Sequence, residues 1–138
     1  MKIRPFAAAD EQAVISLWRD CELVVPWNDP AKDIARKLAV DPGLFLVGEV
    51  AGTVIATVMA GYEGHRGWIN YLAVHPDHRR GSYGRQMMAE AEQALAARGC
   101  PKVNLQIRAS NTAVVAFYES LGYRVDEVVS MGKRLEED

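Results

Sequence analysis

The spacing of apolar residues changes period several times along the chain, and each change predicts an element. Residues 2–6, KIRPF, read as a short edge strand, because Pro5 brings no N–H to a ladder. Ala13, Val14, Leu17, Trp18 and Cys21 then recur at helical spacing over residues 9–21, with Asp10 as the cap. Two prolines in VVPWNDPAKD break that pattern, and Ile34, Ala35 and Leu38 predict a second, shorter helix that ends before Asp41-Pro42-Gly43. Three β-branched stretches follow, LFLVGEV, TVIATVMAGY and WINYLAV, with antiparallel joints at Ala51-Gly52 and Glu63-Gly64. From Ser82 the period is helical again: Met87, Met88, Ala91 and Leu95 form one stripe, Gly99 stands at the C′ position and Pro101 closes the helix. KVNLQIR at 102–108 alternates as a strand, NTAVVAFYESLG is a helix stopped by Gly122, and a last strand runs from Tyr123 to about Leu135. Within the second of these helices Ala113, Phe117 and Leu121 form the expected core stripe, leaving Tyr118 at its edge. The order of elements is an α+β layout in one domain spanning residues 1–138, with no repeat or linker.

Composition narrows the function classes. With 49% hydrophobic and 25% charged residues the chain has the make-up of a folded globular protein. Its 16 Lys plus Arg against 18 Asp plus Glu supply no global positive field, which argues against nucleic acid and anionic lipid as partners. Any anion site must be local. Cys21 and Cys100 lack the paired spacing of a metal site, so no metal is expected, and the default location is the reducing cytoplasm. The N-terminal segment has no signal-like apolar run, and no stretch approaches the roughly 20 apolar residues of a membrane span.

The stretch VHPDHRRGSYG is where chemistry enters. It leads from a strand into a helix and places the N–H groups of residues 80–85 at the helix N-terminus, where they lack intrahelical partners and favour an anion. Gly81, Ser82 and Gly84 are small enough to let a ligand approach the backbone, and Arg79, Arg80 and Arg85 add charge. Taken alone the stretch supports two readings, a solvated basic turn or a phosphate cradle. Neither the P-loop pattern nor the three-glycine dinucleotide fingerprint is present.

VHPDHRRGSYG resembles the coenzyme-binding signature of the GNAT superfamily, the GCN5-related N-acetyltransferases, Arg/Gln-x-x-Gly-x-Gly/Ala, with Arg79 first and Gly84 last. It departs at the middle glycine, where Ser82 stands. NTAVVAFYESLGYR is similar to the family's second signature, with Asn111, Phe117, Tyr118, Gly122 and Tyr123 in place. PWNDP and GKRLE are most like the small bacterial YpeA-type branch.

The resemblance implies a central mixed, mostly antiparallel twisted sheet of about six to seven strands flanked by about four helices. It implies acetyl-CoA as cosubstrate, its pyrophosphate on the amides of residues 79–85, including Tyr83, and its pantetheine arm along the backbone of Leu72, Ala73 and Val74. Asn111 would contact the coenzyme arm, besides its own residue-level role as a helix N-cap. Tyr118 would face the coenzyme sulfur as general acid while an amine attacks the acetyl carbon directly. Some relatives carry a glutamate base at the start of the strand before the turn. Here that position is Trp68, and GWINYLAV holds no carboxylate. Glu63 and His65, just upstream, are the remaining base candidates, against an exposed-turn role. For the acceptor, the resemblance points to the first helices and the hairpins, hence to Trp27, Asn28, Asp29, Tyr62 and Trp68. Without a strong base, an α-amine or small amine of low pKa is favoured over lysine. A homodimer through exposed edge strands is open. The alternative from a different class is a non-catalytic acyl-CoA-binding regulatory module.

Overall fold

A computed structural model describes residues 1–138. The three β-branched stretches form the centre of its sheet: β2 (Phe45–Val50), β3 (Thr53–Tyr62) and β4 (Gly67–Val74), with β1 (Lys2–Pro5) outside β2 and β5 (Val103–Leu105) following β4 in the strand order. The β1–β2, β2–β3 and β3–β4 pairings are antiparallel. Four α-helices accompany the sheet, α1 (Glu11–Asp20), α2 (Pro30–Leu38), α3 (Tyr83–Ala97) and α4 (Thr112–Ser120). The chain divides into two compact units, Met1–Asn104 with Asp138, and Leu105–Glu137.

In the first unit β2 and β3 meet through a two-residue turn with Ala51 at φ 51° and Gly52 at φ 80°. Two successive positive φ angles give the twist that suits a tight hairpin. Phe6, Val14, Leu17, Trp18, Ile34, Phe45, Val47, Met59 and Ala73 make one core cluster, which buries α1 and α2 on one face of the sheet. Because strand side chains alternate, Gly48 points the opposite way from Val47, and a methyl group built there would lie 3.1 Å from Met87 Sδ of α3. Both faces of the central strands are thus covered. Asp10 precedes α1 as expected, but its carboxylate does not cap that helix. It accepts from the Ala7 N–H at 2.8 Å and from both terminal nitrogens of Arg4 at 2.8 and 2.9 Å. The Arg4 guanidinium holds this carboxyl below the usual carboxylate range against the cost of burial.

The second unit departs most from expectation. Gly122 ends α4 with φ 95° as its position predicts. Beyond it residues 123–137 form no strand, and Val125, Val128, Val129, Met131 and Leu135 stand exposed. The expected 102–108 strand likewise shortens to β5, so the sheet has five strands and not six or seven. Asp126, Glu127 and Gly132 interrupt the apolar residues of the last segment with poor strand formers, and alternation alone does not hold a strand that pairs with nothing. The stripe on α4 is also shifted: Ala113 is exposed, Phe117 is half-buried, and Tyr118 is the buried residue.

Candidate active site

The strand before the turn carries a bulge. Between β3 and β4 the register steps from Met59↔Asn70 to Thr57↔Ala73, so one residue on β3, Val58, is opposed by two on β4, Tyr71 and Leu72. The extra residue is taken up at Tyr71, whose φ of 52° lies in the left-handed region. A side chain is strained there, and the surroundings hold it in place. The Tyr71 ring stacks on Trp18 with centroids 3.8 Å apart. The Tyr71 carbonyl accepts the Thr57 hydroxyl at 2.8 Å, and Thr57 Oγ1 accepts the Trp18 indole N–H at 2.9 Å. Thr57 is 0% exposed. Thr57→Val keeps the volume but strands the Trp18 donor and the Tyr71 acceptor, so urea unfolding should show a loss of about 1–3 kcal/mol. Thr57→Ser, which retains the hydroxyl, should lose less.

The turn lies at the far end of β4 from the β3–β4 hairpin. His75 Nδ1 accepts the Asp77 N–H at 3.2 Å, and Arg79 Nε donates to the Val74 carbonyl at 3.2 Å. Arg79, Arg80, Gly81, Ser82 and Arg85 are exposed, and Tyr83 and Gly84 are half-buried. The first helical carbonyl is that of Ser82, which takes the Gln86 N–H at 3.1 Å, so the amides of Tyr83, Gly84 and Arg85 precede the ladder of α3. This end of α3 therefore fits a phosphate, with the amides of Tyr83, Gly84 and Arg85 at a helix N-terminus near three exposed arginines, while the Gly81 N–H is taken by the His78 carbonyl at 3.3 Å. Ser82 has φ 58°, a conformation that glycine adopts without strain. Ser82→Gly should relieve that strain and raise the unfolding free energy in urea titration by up to about 1 kcal/mol after the added freedom of the unfolded glycine is counted.

Beside the bulge is a cavity of about 450 Å³ lined by Asp33, Arg36 and Lys37 of α2, Val40, Met59 of β3, and Asn70 and Tyr71 of β4. Regular alternation would send Asn70 and Tyr71 to opposite faces, and the bulge is what lets both line one cavity. Asp33 Oδ2 accepts the Tyr71 hydroxyl at 2.6 Å and also the Asn28 side-chain amide. Burial, together with the nearby Asp33, pushes the Tyr71 phenol well above its ordinary value. Lys37 Nζ donates to the Ala60 carbonyl at 2.5 Å, and its burial lowers its pKa.

The remaining acceptor candidates are dispersed. Asn28 belongs to the cavity's edge through Asp33 and Tyr71, and Asp29 caps α2 by accepting from the Ala31 and Lys32 N–H groups at 2.9 and 3.4 Å. Trp27 is 60% exposed and Trp68 also lies in solvent. The Tyr62 hydroxyl reaches the carbonyls of Gly64 and Gly99, at the hairpin joint. Glu63 Oε1 accepts the backbone N–H groups of His65 and Arg66, which commits its carboxylate to the turn. Leu72 lies five residues along β4 from Gly67, roughly 16 Å of strand from that joint. Glu63 thus stands apart from Leu72 to Val74 along β4. Asp33, Lys37, Asn70 and Tyr71 belong to no motif in the sequence: Asp33 is an acid in the first turn of a helix, where acids are common, and nothing in WINYLAV marks a left-handed tyrosine.

In the second unit Asn111 caps α4, its Oδ1 accepting the Val114 N–H at 3.4 Å. Tyr118 is 7% exposed and packs edge-on against Phe117 and Tyr123 at centroid distances of 5.1 and 5.6 Å. Burial pushes its phenol up to about 12.

A model of the acetyltransferase (GNAT) family matches residues 12–123. The chain belongs to this family and is an acetyltransferase. An acetyltransferase of Sodalis glossinidius is 52% identical over all of this chain and 98% of the relative, and one of Pectobacterium atrosepticum is 50% identical with the same coverage. The PaiA N-acetyltransferase of Thermoplasma acidophilum, solved with coenzyme A, superposes with a TM-score of 0.82 at 17% identity over 93% of this chain and 92% of that one. The ribosomal-protein-S18-alanine N-acetyltransferase of Escherichia coli gives a TM-score of 0.73 at 25% identity over 88% and 76%. No helix of this GNAT acetyltransferase is long and apolar enough to cross a membrane.

Proposed function

We propose that this acetyltransferase is a single functional domain over residues 1–138 that moves the acetyl group of acetyl-CoA onto an α-amine by direct attack. The observation that carries the reading is the bulged β4 running into the open N-terminus of α3, where unladdered amides and Arg79, Arg80 and Arg85 stand ready for a pyrophosphate. Acetyl-CoA supplies the activated thioester. The backbone of Leu72 to Val74 orients the pantetheine arm, and an amide released from the ladder at the bulge polarises the acetyl carbonyl. Asn111 contacts the coenzyme arm while capping α4. Tyr118 donates a hydrogen bond to the departing sulfur.

The acceptor class follows from what β4 lacks. Freeing a lysine amine at pH 7 costs about 4 to 5 kcal/mol, whereas an α-amine costs about 1 kcal/mol. GWINYLAV offers no carboxylate to offset the larger cost. The Escherichia coli neighbour is named for an alanine, whose only amine is the α-amine, and this supports the same choice. The free thiols Cys21 and Cys100 suit a reducing cytoplasm.

The test is an acceptor screen that follows thiol release from acetyl-CoA. Peptides with a free α-amine and no lysine should turn over at least about tenfold faster than Nα-blocked lysine peptides. Faster acetylation of the blocked lysine peptides would defeat the α-amine assignment.

A further inference from the structure

We infer that the cavity at the β4 bulge takes an acceptor that carries a carboxylate besides its α-amine, and that Arg36 holds this carboxylate. The inference rests on the α-amine reading and specifies the acceptor within it.

The cavity's charges are unequal. Arg36 and Lys37 contribute two cations and Asp33 one anion to its lining. Asp33 is oriented by Tyr71 and Asn28 and pairs with Arg36 at 3.3 Å. The free α-amine of an acceptor can donate a hydrogen bond to Asp33 there, next to the bulge where the acetyl carbonyl is to be polarised. The second anion on these cations comes from the chain itself.

The fold already shows a carboxylate in that role. Asp138 Oδ1 accepts from Arg36 Nη2 at 2.7 Å, Asp138 Oδ2 accepts the Asp29 N–H at 2.8 Å, and the Asp138 main-chain oxygen accepts from Lys32 Nζ at 2.8 Å. The Asp138 side chain is only 3% exposed, so this is a seated carboxylate and not a loose surface pair. Its charge also reaches the Tyr71 phenol, which lines the cavity. Asp138 therefore marks where Arg36 receives a carboxylate. An acceptor carboxylate exchanging with it conserves the charge on Arg36, while a neutral acceptor leaves that subsite to Asp138. The ligand carboxylate has two sources, an acidic side chain at a peptide N-terminus or the α-carboxylate of a free amino acid.

Two acceptor pairs distinguish the sources, with the full chain and saturating acetyl-CoA: Glu-Ala-Ala-amide against Gln-Ala-Ala-amide, and free L-alanine against L-alaninamide. The acidic member of at least one pair should show kcat/KM about tenfold higher, as expected for a charge-assisted Arg–carboxylate contact. In Arg36→Gln that ratio should fall to near one. Asp138→Asn, which removes the competing carboxylate, should lower KM for the preferred acidic acceptor. Ratios below about three in both pairs overturn the inference and leave the α-amine reading standing. A ratio retained in Arg36→Gln, or a KM that rises in Asp138→Asn, also overturns it. If none of the four is acetylated while a blocked lysine peptide is, the α-amine reading falls and the inference with it.

Discussion

Replacing Tyr118 with Phe is expected to lower kcat by about 10²- to 10⁴-fold while acetyl-CoA binding is retained. The phenyl ring keeps the volume of a residue that is 7% exposed, so packing against Phe117 and Tyr123 survives and only the hydroxyl is lost. The hydroxyl's proposed task is constrained by its acidity. With the phenol pushed up to about 12 by burial, and a thiol near 8.5, complete proton transfer to the departing thiolate is uphill by roughly 5 kcal/mol. In the proposed role Tyr118 is a hydrogen-bond donor to developing negative charge, with the thiolate's proton coming from elsewhere. The same shift has a stability consequence whose sign is definite. Below pH 10 the phenol is protonated folded and unfolded and contributes no slope. Between pH 10 and about 12 the unfolded chain releases the proton first, so the folded state loses roughly 2 to 3 kcal/mol across that window. Wild type should lose more stability than Tyr118→Phe over this range in denaturant titrations. A Tyr118→Phe enzyme with unchanged kcat would remove the residue from the chemistry.

How far the site was legible depended on which physical signal each residue carries. Gly99 and Gly122 sit past the ends of α3 and α4 at φ 86° and 95°, and their positions after apolar helical stripes announced both stops. The three central strands were legible because β-branched runs bounded by turn residues admit few alternatives. The bulge carries no local signal. Its strained residue, Tyr71, has nothing glycine-like about it and is held by Thr57 and Trp18, which lie far away in sequence. Alternation in WINYLAV therefore predicted a regular strand and concealed the pairing of Asn70 with Tyr71 in one cavity. The segment after Tyr123 failed for the opposite reason: its local pattern is strand-like, but a strand exists only through a partner. Asp33 and Arg36 were invisible because charged residues on a short helix usually face solvent. Only the placement of α2 beside β4 brings them to a cavity.

Ser82 stands where the family signature has glycine, and the structure gives that departure a physical meaning, since its backbone occupies the left-handed region at φ 58°. The turn holds a side chain in a conformation that glycine adopts freely. If the conformation is kept because it presents the amides of Tyr83, Gly84 and Arg85 to a pyrophosphate, crowding those amides must weaken coenzyme binding. Gly84→Val is accordingly expected to raise the Kd for acetyl-CoA by about 10- to 100-fold, the worth of one charge-assisted amide–phosphate contact, as read by calorimetry. Folding moves the other way, because Val is a better helix former than Gly by a few tenths of a kcal/mol within α3. Thermal unfolding without ligand should therefore show no loss of stability, which separates a damaged cradle from a damaged fold. Ser82→Gly relieves strain without adding bulk, so it should leave acetyl-CoA binding intact or tighter. Opposite signs at two neighbouring positions are what a phosphate cradle requires. A solvated basic turn, whose arginines act only through long-range charge, would leave Kd indifferent to both.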